Sequence, residues 1–256
     1  MSRWIALAAL SEPQLPNGEQ IVELLQHRPE GEAAARLSSQ TDGAINLSWP
    51  AEGDSQGATA NVTLIDQPIP WERLEGPCAT AWYWPEAESR LRDHSAHLFV
   101  TLLDEQTSGI GQATRLTRLL AALGAASPAL GLVWGATGAV HEPGAFAQMA
   151  ASSSGSDLPL HLWIDFRVYQ RDDSGFGLFT TGLDALGHRE FEVPHYEGDP
   201  QHLVGAVYNV THYLLEKQAN LQDSEVIGLP DENQVTIHEE VSMIDPEQEV
   251  FRLAFD

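Results

Sequence analysis

The chain has 256 residues, with 37 Asp and Glu against 13 Lys and Arg, for a formal net charge of −24. Its 43% hydrophobic content and 7 Trp are enough to fold, and no apolar run in the sequence is long enough to span a bilayer. Such a charge repels nucleic acid and anionic membranes and attracts basic protein surfaces.

Residues 4–10 predict a first strand. Arg3 before them gives the outline of a short secretory signal, but Ser11, Glu12 and Pro13 make a poor cleavage site. Asn17 with Gln20 three residues on has the form of a capping box, and Ile21, Leu24 and Leu25 supply a helical stripe that Pro29 stops. Residues 44–49 and 60–66 predict two strands joined by the Gly/Asp/Ser-rich connector 52–59. Residues 70–93 predict helix broken by Gly76, Pro77 and Pro85, and residues 97–103 form an apolar, β-rich run.

Ser108 then caps a predicted helix whose face is Leu116, Leu119, Leu120 and Leu123, with Gly124 and Pro128 ending it. A strand at 130–134, a short helix at 143–150 and a loop at 152–157 follow. Residues 160–169 predict one strand, with Leu162, Ile164, Phe166 and Val168 on one face, paired across the turn 171–175 with a strand at 176–181. Residues 190–194 predict a further strand. Asp199 and Pro200 open a helix as N-cap and first residue, with Leu203, Val207, Val210 and Leu214 turned inward. Short strands are expected at 226–229, 234–238 and 250–255.

Strand pairs recur without intervening helices, which favours an α+β protein over a doubly wound sheet. The order β-α-β-β-α-β in the first hundred residues is that of the ferredoxin-like split unit. The expected architecture is two packed ferredoxin-like units, 1–105 and 106–256, with helices over antiparallel sheets in one globular body.

No catalytic constellation stands out. Gly109 and Gly111 open a helix as a dinucleotide loop would, but the third glycine is missing and no P-loop lysine follows. His141-Glu142 and His238-Glu239 each begin a zinc-protease motif and lack its second histidine. His188 and His195 flank Glu190 and Glu192, a quartet that would ligate a cation only as a hairpin. Cys78, the single cysteine, cannot form an internal disulfide, which points to a reducing, cytoplasmic setting. No enzyme activity, metal or cofactor is therefore expected. The enzyme-class rival is a hydrolase or metalloenzyme built on dispersed histidines and carboxylates.

Several stretches resemble an uncharacterised bacterial domain family, one catalogued as a domain of unknown function. They are residues 97–103, 114–120 and 160–167, then Thr181-Gly182-Leu183-Asp184-Ala185-Leu186-Gly187 running on to Glu190, Glu192 and Pro194, and the tail from Ile227 to Leu253. The resemblance implies no established active site. An acidic chain of this kind is also similar to immunity proteins of type VI secretion nucleases, which implies a basic toxin domain, such as a DNase, as partner. An adaptor that loads a secretion effector is the other binding reading.

An inhibitor of that kind needs exposed carboxylates and aromatic anchors. The expected partner-binding residues are Asp172 and Asp173 in the turn 171–175, Glu190 with Glu192, Glu197 with Asp199, and Trp82 and Trp84 from the Trp82-Tyr83-Trp84 cluster.

Overall fold

The computed structural model describes residues 3–26, 33–51, 57–105, 107–154, 156–171, 175–229 and 234–255. The chain divides into two units, 1–152 and 153–256. The boundary lies well beyond the expected break at residue 105, because the strand after the long helix of the first unit pairs with the first strand of the chain.

Unit 1 is built on a seven-stranded antiparallel sheet. Its strands are β1 (Arg3–Leu10), β2 (Arg36–Gln40), β3 (Ala44–Trp49), β4 (Ala58–Ile65), β5 (Ala96–Leu103), β6 (Ala129–Trp134) and β7 (Val140–His141), in the order β2-β3-β4-β5-β1-β6-β7. The helices are α1 (Gly18–Leu24), α2 (Glu75–Thr80), α3 (Ala87–Leu91), α4 (Gly109–Ala126) and α5 (Pro143–Ser152).

β1 lies between β5 and β6, and period-two alternation sends its side chains to both faces. Trp4 on one face packs at a ring distance of 5.9 Å from Trp134 and hydrogen-bonds Gln112 of α4. Leu7 and Ala9 on the other join Ile69, Leu74, Cys78, Trp84 and Leu91 in a core under α2 and α3. A Cβ on Gly131 of β6 would meet Leu91 at 2.6 Å, so glycine there is what lets α3 approach the sheet.

The caps follow the local chemistry. The Asn17 side chain accepts from Glu19 N and Gln20 N, and Ser108 Oγ accepts from Gly111 N. Gly124 does not end α4. It lies inside the helix where Leu132 packs against it, and the helix runs on to Ala126. The Pro29 stop and most of the connector 52–59 lie outside the described residues.

Unit 2 holds a six-stranded sheet of order β11-β12-β13-β10-β9-β8. Its strands are β8 (Asp165–Gln170), β9 (Phe176–Thr181), β10 (Phe191–Tyr196), β11 (Val226–Gly228), β12 (Gln234–Val241) and β13 (Glu249–Phe255). All pairs are antiparallel except β10 with β13. The helices are the short α6 (Leu160–Trp163) and the long α7 (Pro200–Lys217), which packs on β8 and β9.

The long strand expected over 160–169 is thus a helical turn followed by a shorter strand. His161 is exposed, but Leu162, Trp163 and Ile164 are buried in succession, so burial does not alternate through the segment as a half-buried strand requires. α7 forms as expected. Asp199 accepts from Gln201 N at 2.8 Å, Pro200 takes the first position, and Leu203, Val207, Val210 and Leu214 are all buried. Together the two units make a mixed α+β chain whose sheets have seven and six strands. Among the described residues, no helix is long and apolar enough to cross a membrane.

Candidate binding surface

β12 and β13 form a hairpin whose tip is held by a dense set of hydrogen bonds. Val241 pairs with Glu249, and Ser242 N donates to Gln248 O at 2.9 Å. Ser242 Oγ accepts from Ile244 N and from Asp245 N, each at 3.0 Å, while Asp245 Oδ1 accepts from Glu247 N at 3.1 Å. A carboxylate from β10 locks the tip from beneath. Glu192 is 3% exposed, and it accepts a hydrogen bond from Ser242 Oγ and another from Met243 N at 3.0 Å.

With Ser242 pulled in, its neighbours are pushed out. Val241, Met243 and Ile244 are 56%, 48% and 55% exposed. Three large apolar side chains within four residues contribute little to the core, and covering them would be worth about 25 cal/mol per Å². Exposed Glu239, Glu240, Glu247 and Glu249, with half-buried Asp245, flank them in sequence and across the hairpin. Arg189 bridges Glu239 at 2.9 Å and Glu249 at 2.6 Å, which raises its already high pKa, and Arg252 pairs with Glu240. Among the described residues no cation pairs with Asp245 or Glu247. The tip is thus an apolar centre with an acidic rim.

Glu190, next to β10, closes a second turn. It accepts from Thr180 Oγ1 at 2.7 Å, Gly182 N at 2.7 Å and Asp184 N at 3.1 Å. Burial raises its pKa above the ordinary glutamate value despite those three donors. The turn it wraps is the Thr181–Gly187 stretch, which ends at Gly187 with φ +88, a conformation glycine adopts without strain.

The expected interface residues separate accordingly. Glu192 is buried and Glu190 half-buried, and their carboxylates accept from backbone and hydroxyl donors that shape turns. Glu197 is exposed and lies 3.3 Å from His195 Nε2, and Asp199 is exposed as the cap of α7. Asp172 and Asp173 lie outside the described residues. Trp84 is buried in the core of unit 1, which removes it from any interface, whereas Trp82 is 74% exposed and packs edge-on against Tyr83. Tyr83 in turn stacks on His141 and donates its hydroxyl hydrogen to Val140 O.

The other candidates have structural partners. Burial pushes the Cys78 thiol up to about 11, so it stays protonated at neutral pH. His94 Nε2 accepts from Ile69 N at 2.7 Å, and His97 Nδ1 lies 2.8 Å from Gln67 O, with burial lowering the His97 pKa. The His188, Glu190, Glu192 and His195 quartet does not converge, since its two carboxylates turn to different turns. Among the described residues, no group of three or more His, Cys, Asp or Glu is placed to hold a metal ion.

The reading from sequence passed over the β12–β13 tip. Its signal was present as Val241-Ser242-Met243-Ile244 between acidic runs, followed by Asp245-Pro246, an apolar cluster set at a turn.

Residues 179–254 match a family described as Domain of unknown function (DUF4261). The matched stretch holds the Glu190-wrapped turn, β10, β12 and β13 up to residue 254, and it covers the Thr181–Gly187 and Ile227–Leu253 stretches of the resemblance. The stretches at 97–103, 114–120 and 160–167 lie outside it. No curated protein and no solved structure matches the chain.

Proposed function

We propose that this chain is a binding protein of the immunity type, which captures a cationic toxin domain, a nuclease in its sharpest form, and blocks it. The observation that carries the reading is the rigid, acid-rimmed apolar tip of the β12–β13 hairpin, with Val241, Met243 and Ile244 held outward by Glu192. A nuclease presents a cationic cleft to phosphates, and ordered carboxylates around an apolar anchor can occupy such a cleft in their place. The net charge of −24 draws a basic partner in, and the apolar tip retains it.

The test is co-expression with a basic nuclease domain encoded in an adjacent reading frame. The parent chain protects cells and co-purifies with the domain. Met243→Asp with Ile244→Asp abolishes both while the chain stays soluble. Full protection by that double variant would sink the reading.

We also infer a ferredoxin-like core within unit 1, in β4-β5-β1-β6 with α1 after β1 and α4 between β5 and β6. The strand order and the contact of α1 with α4 support it, with β2-β3 and β7 as additions at the two edges.

A further inference from the structure

A second surface of unit 2 uses none of the residues of the hairpin tip. A cavity of about 400 Å³ opens between α7 and β11. Asn209, His212, Tyr213 and Glu216, one face of α7 by their three- and four-residue spacing, form one wall, and Glu225 with residues 226–229 forms the other. The helical wall is stiff. His212 stacks on Tyr208, which stacks on His161 at 4.8 Å with the rings 28° apart.

The β11 wall is an open sheet edge, since among the described residues β11 pairs with β12 alone. Ile237 N donates to Glu225 O at 2.8 Å, and the register sets Ile227 opposite Val235. Alternation of hydrogen-bonded and non-hydrogen-bonded positions then turns the backbone groups of Val226 and Gly228 away from β12. Val226 is 53% exposed. An edge of this kind is a template for another strand unless something blunts it.

Charge decides what the cavity accepts. Among the described residues two carboxylates line it, Glu216 and Glu225, and no Lys or Arg does. Each carboxylate has one oxygen occupied. Lys217 reaches Glu216 Oε1 at 3.0 Å from the exposed end of the helix, and Gln222 N donates to Glu225 Oε2 at 2.9 Å. His212 Nδ1 stands 3.7 Å from the second oxygen of Glu216. The Tyr213 ring, 40% exposed, offers a face to a cation.

We propose that this cleft binds an extended peptide segment carrying Arg or Lys, which adds as a strand along β11 and places one cationic side chain between Glu216, Glu225 and Tyr213. Backbone hydrogen bonds to Val226 and Gly228 supply affinity, and the acidic cleft selects the side chain. The alternation of a strand turns every second side chain of the peptide toward α7.

The experiment titrates the full chain with a labelled synthetic peptide, Thr-Val-Arg-Val-Arg-Val-Thr capped at both ends, and reads fluorescence anisotropy. The same peptide with Glu in place of Arg binds at least about tenfold more weakly, and Glu216→Gln with Glu225→Gln weakens the Arg peptide by about tenfold. Val226→Pro removes the outward donor and weakens binding by a similar factor. An Arg peptide N-methylated on alternate residues removes the same hydrogen bonds without altering the protein, and it also binds about tenfold more weakly. Equal binding of the Arg and Glu peptides, or full affinity of the N-methylated peptide, overturns the proposal. So does arginine amide binding as tightly as the peptide. None of these outcomes bears on the hairpin tip.

Discussion

In unit 1 the buried carboxylate of Asp104 meets a cation, Arg115, and also accepts from Thr107 Oγ1 at 2.7 Å. In unit 2 the carboxylates of Glu190 and Glu192 are held, among the described residues, by neutral donors: three for Glu190, two for Glu192. The first arrangement cancels its own charge and ties β5 to α4, a use of a buried ion pair that serves the fold. The second leaves its carboxylates to neutral donors and shapes two turns, one of which pushes Val241, Met243 and Ile244 into solvent. Preorganising a loop in its binding conformation lowers the entropy lost on docking. A buried carboxylate under an exposed apolar turn therefore speaks for recognition, where the same residue paired to arginine speaks for stability.

The largest expected effect lies in unit 1. Arg115→Met removes one ion pair from Asp104, 3% exposed, and should cost about 3–5 kcal/mol in urea unfolding. A loss below about 1 kcal/mol would mean that Thr107 and water suffice for that carboxylate, and the contrast between the units would vanish.

Glu192→Ala comes next. It strands the Ser242 hydroxyl and Met243 N–H, for about 2–3 kcal/mol of stability, and it frees the hairpin tip. Amide exchange at residues 242–245 should accelerate well beyond what the global loss explains. Uniform exchange across the hairpin would show that Glu192 supports the sheet and does not set the tip.

The smallest effect is a pH dependence at Glu190. Burial holds its pKa in the folded chain above the ordinary value, so the folded state binds that proton more tightly than the unfolded state does. The stability it contributes is fully present below the ordinary glutamate pKa and is lost as pH rises through the raised one. The parent should lose stability relative to Glu190→Gln over that interval and hold a constant difference above it. A parent that gains on the variant as pH rises would contradict the assignment.

Much of the fold was legible because its signals are local. Asn17, Ser108 and Asp199 cap helices through donors two or three residues away, and the leucine face of α4 repeats within a turn or two. α6 was misread because the unbroken burial of Leu162, Trp163 and Ile164 blurs the period that tells helix from strand. β2 is largely exposed and β7 is only two residues long, and neither leaves a hydrophobic pattern to read. The site was the least legible part. Glu190 and Glu192 look like exposed acids in the sequence, and their burial follows from donors 8 and 51 residues away in the chain. Trp82 and Trp84 look alike in the sequence, yet Trp84 is buried in the core beside Gly131 and Trp82 is exposed.

The central claim is that the acidic rim draws a basic partner to the hairpin tip and that the apolar side chains keep it there. Stopped-flow association of the basic nuclease domain with the parent and with a Val241→Ser, Met243→Ser, Ile244→Ser variant separates the two roles. The account predicts that association slows with added salt equally in both proteins, while dissociation from the variant is at least about thirtyfold faster, the scale of one lost hot spot. A variant that releases the domain as slowly as the parent would contradict it.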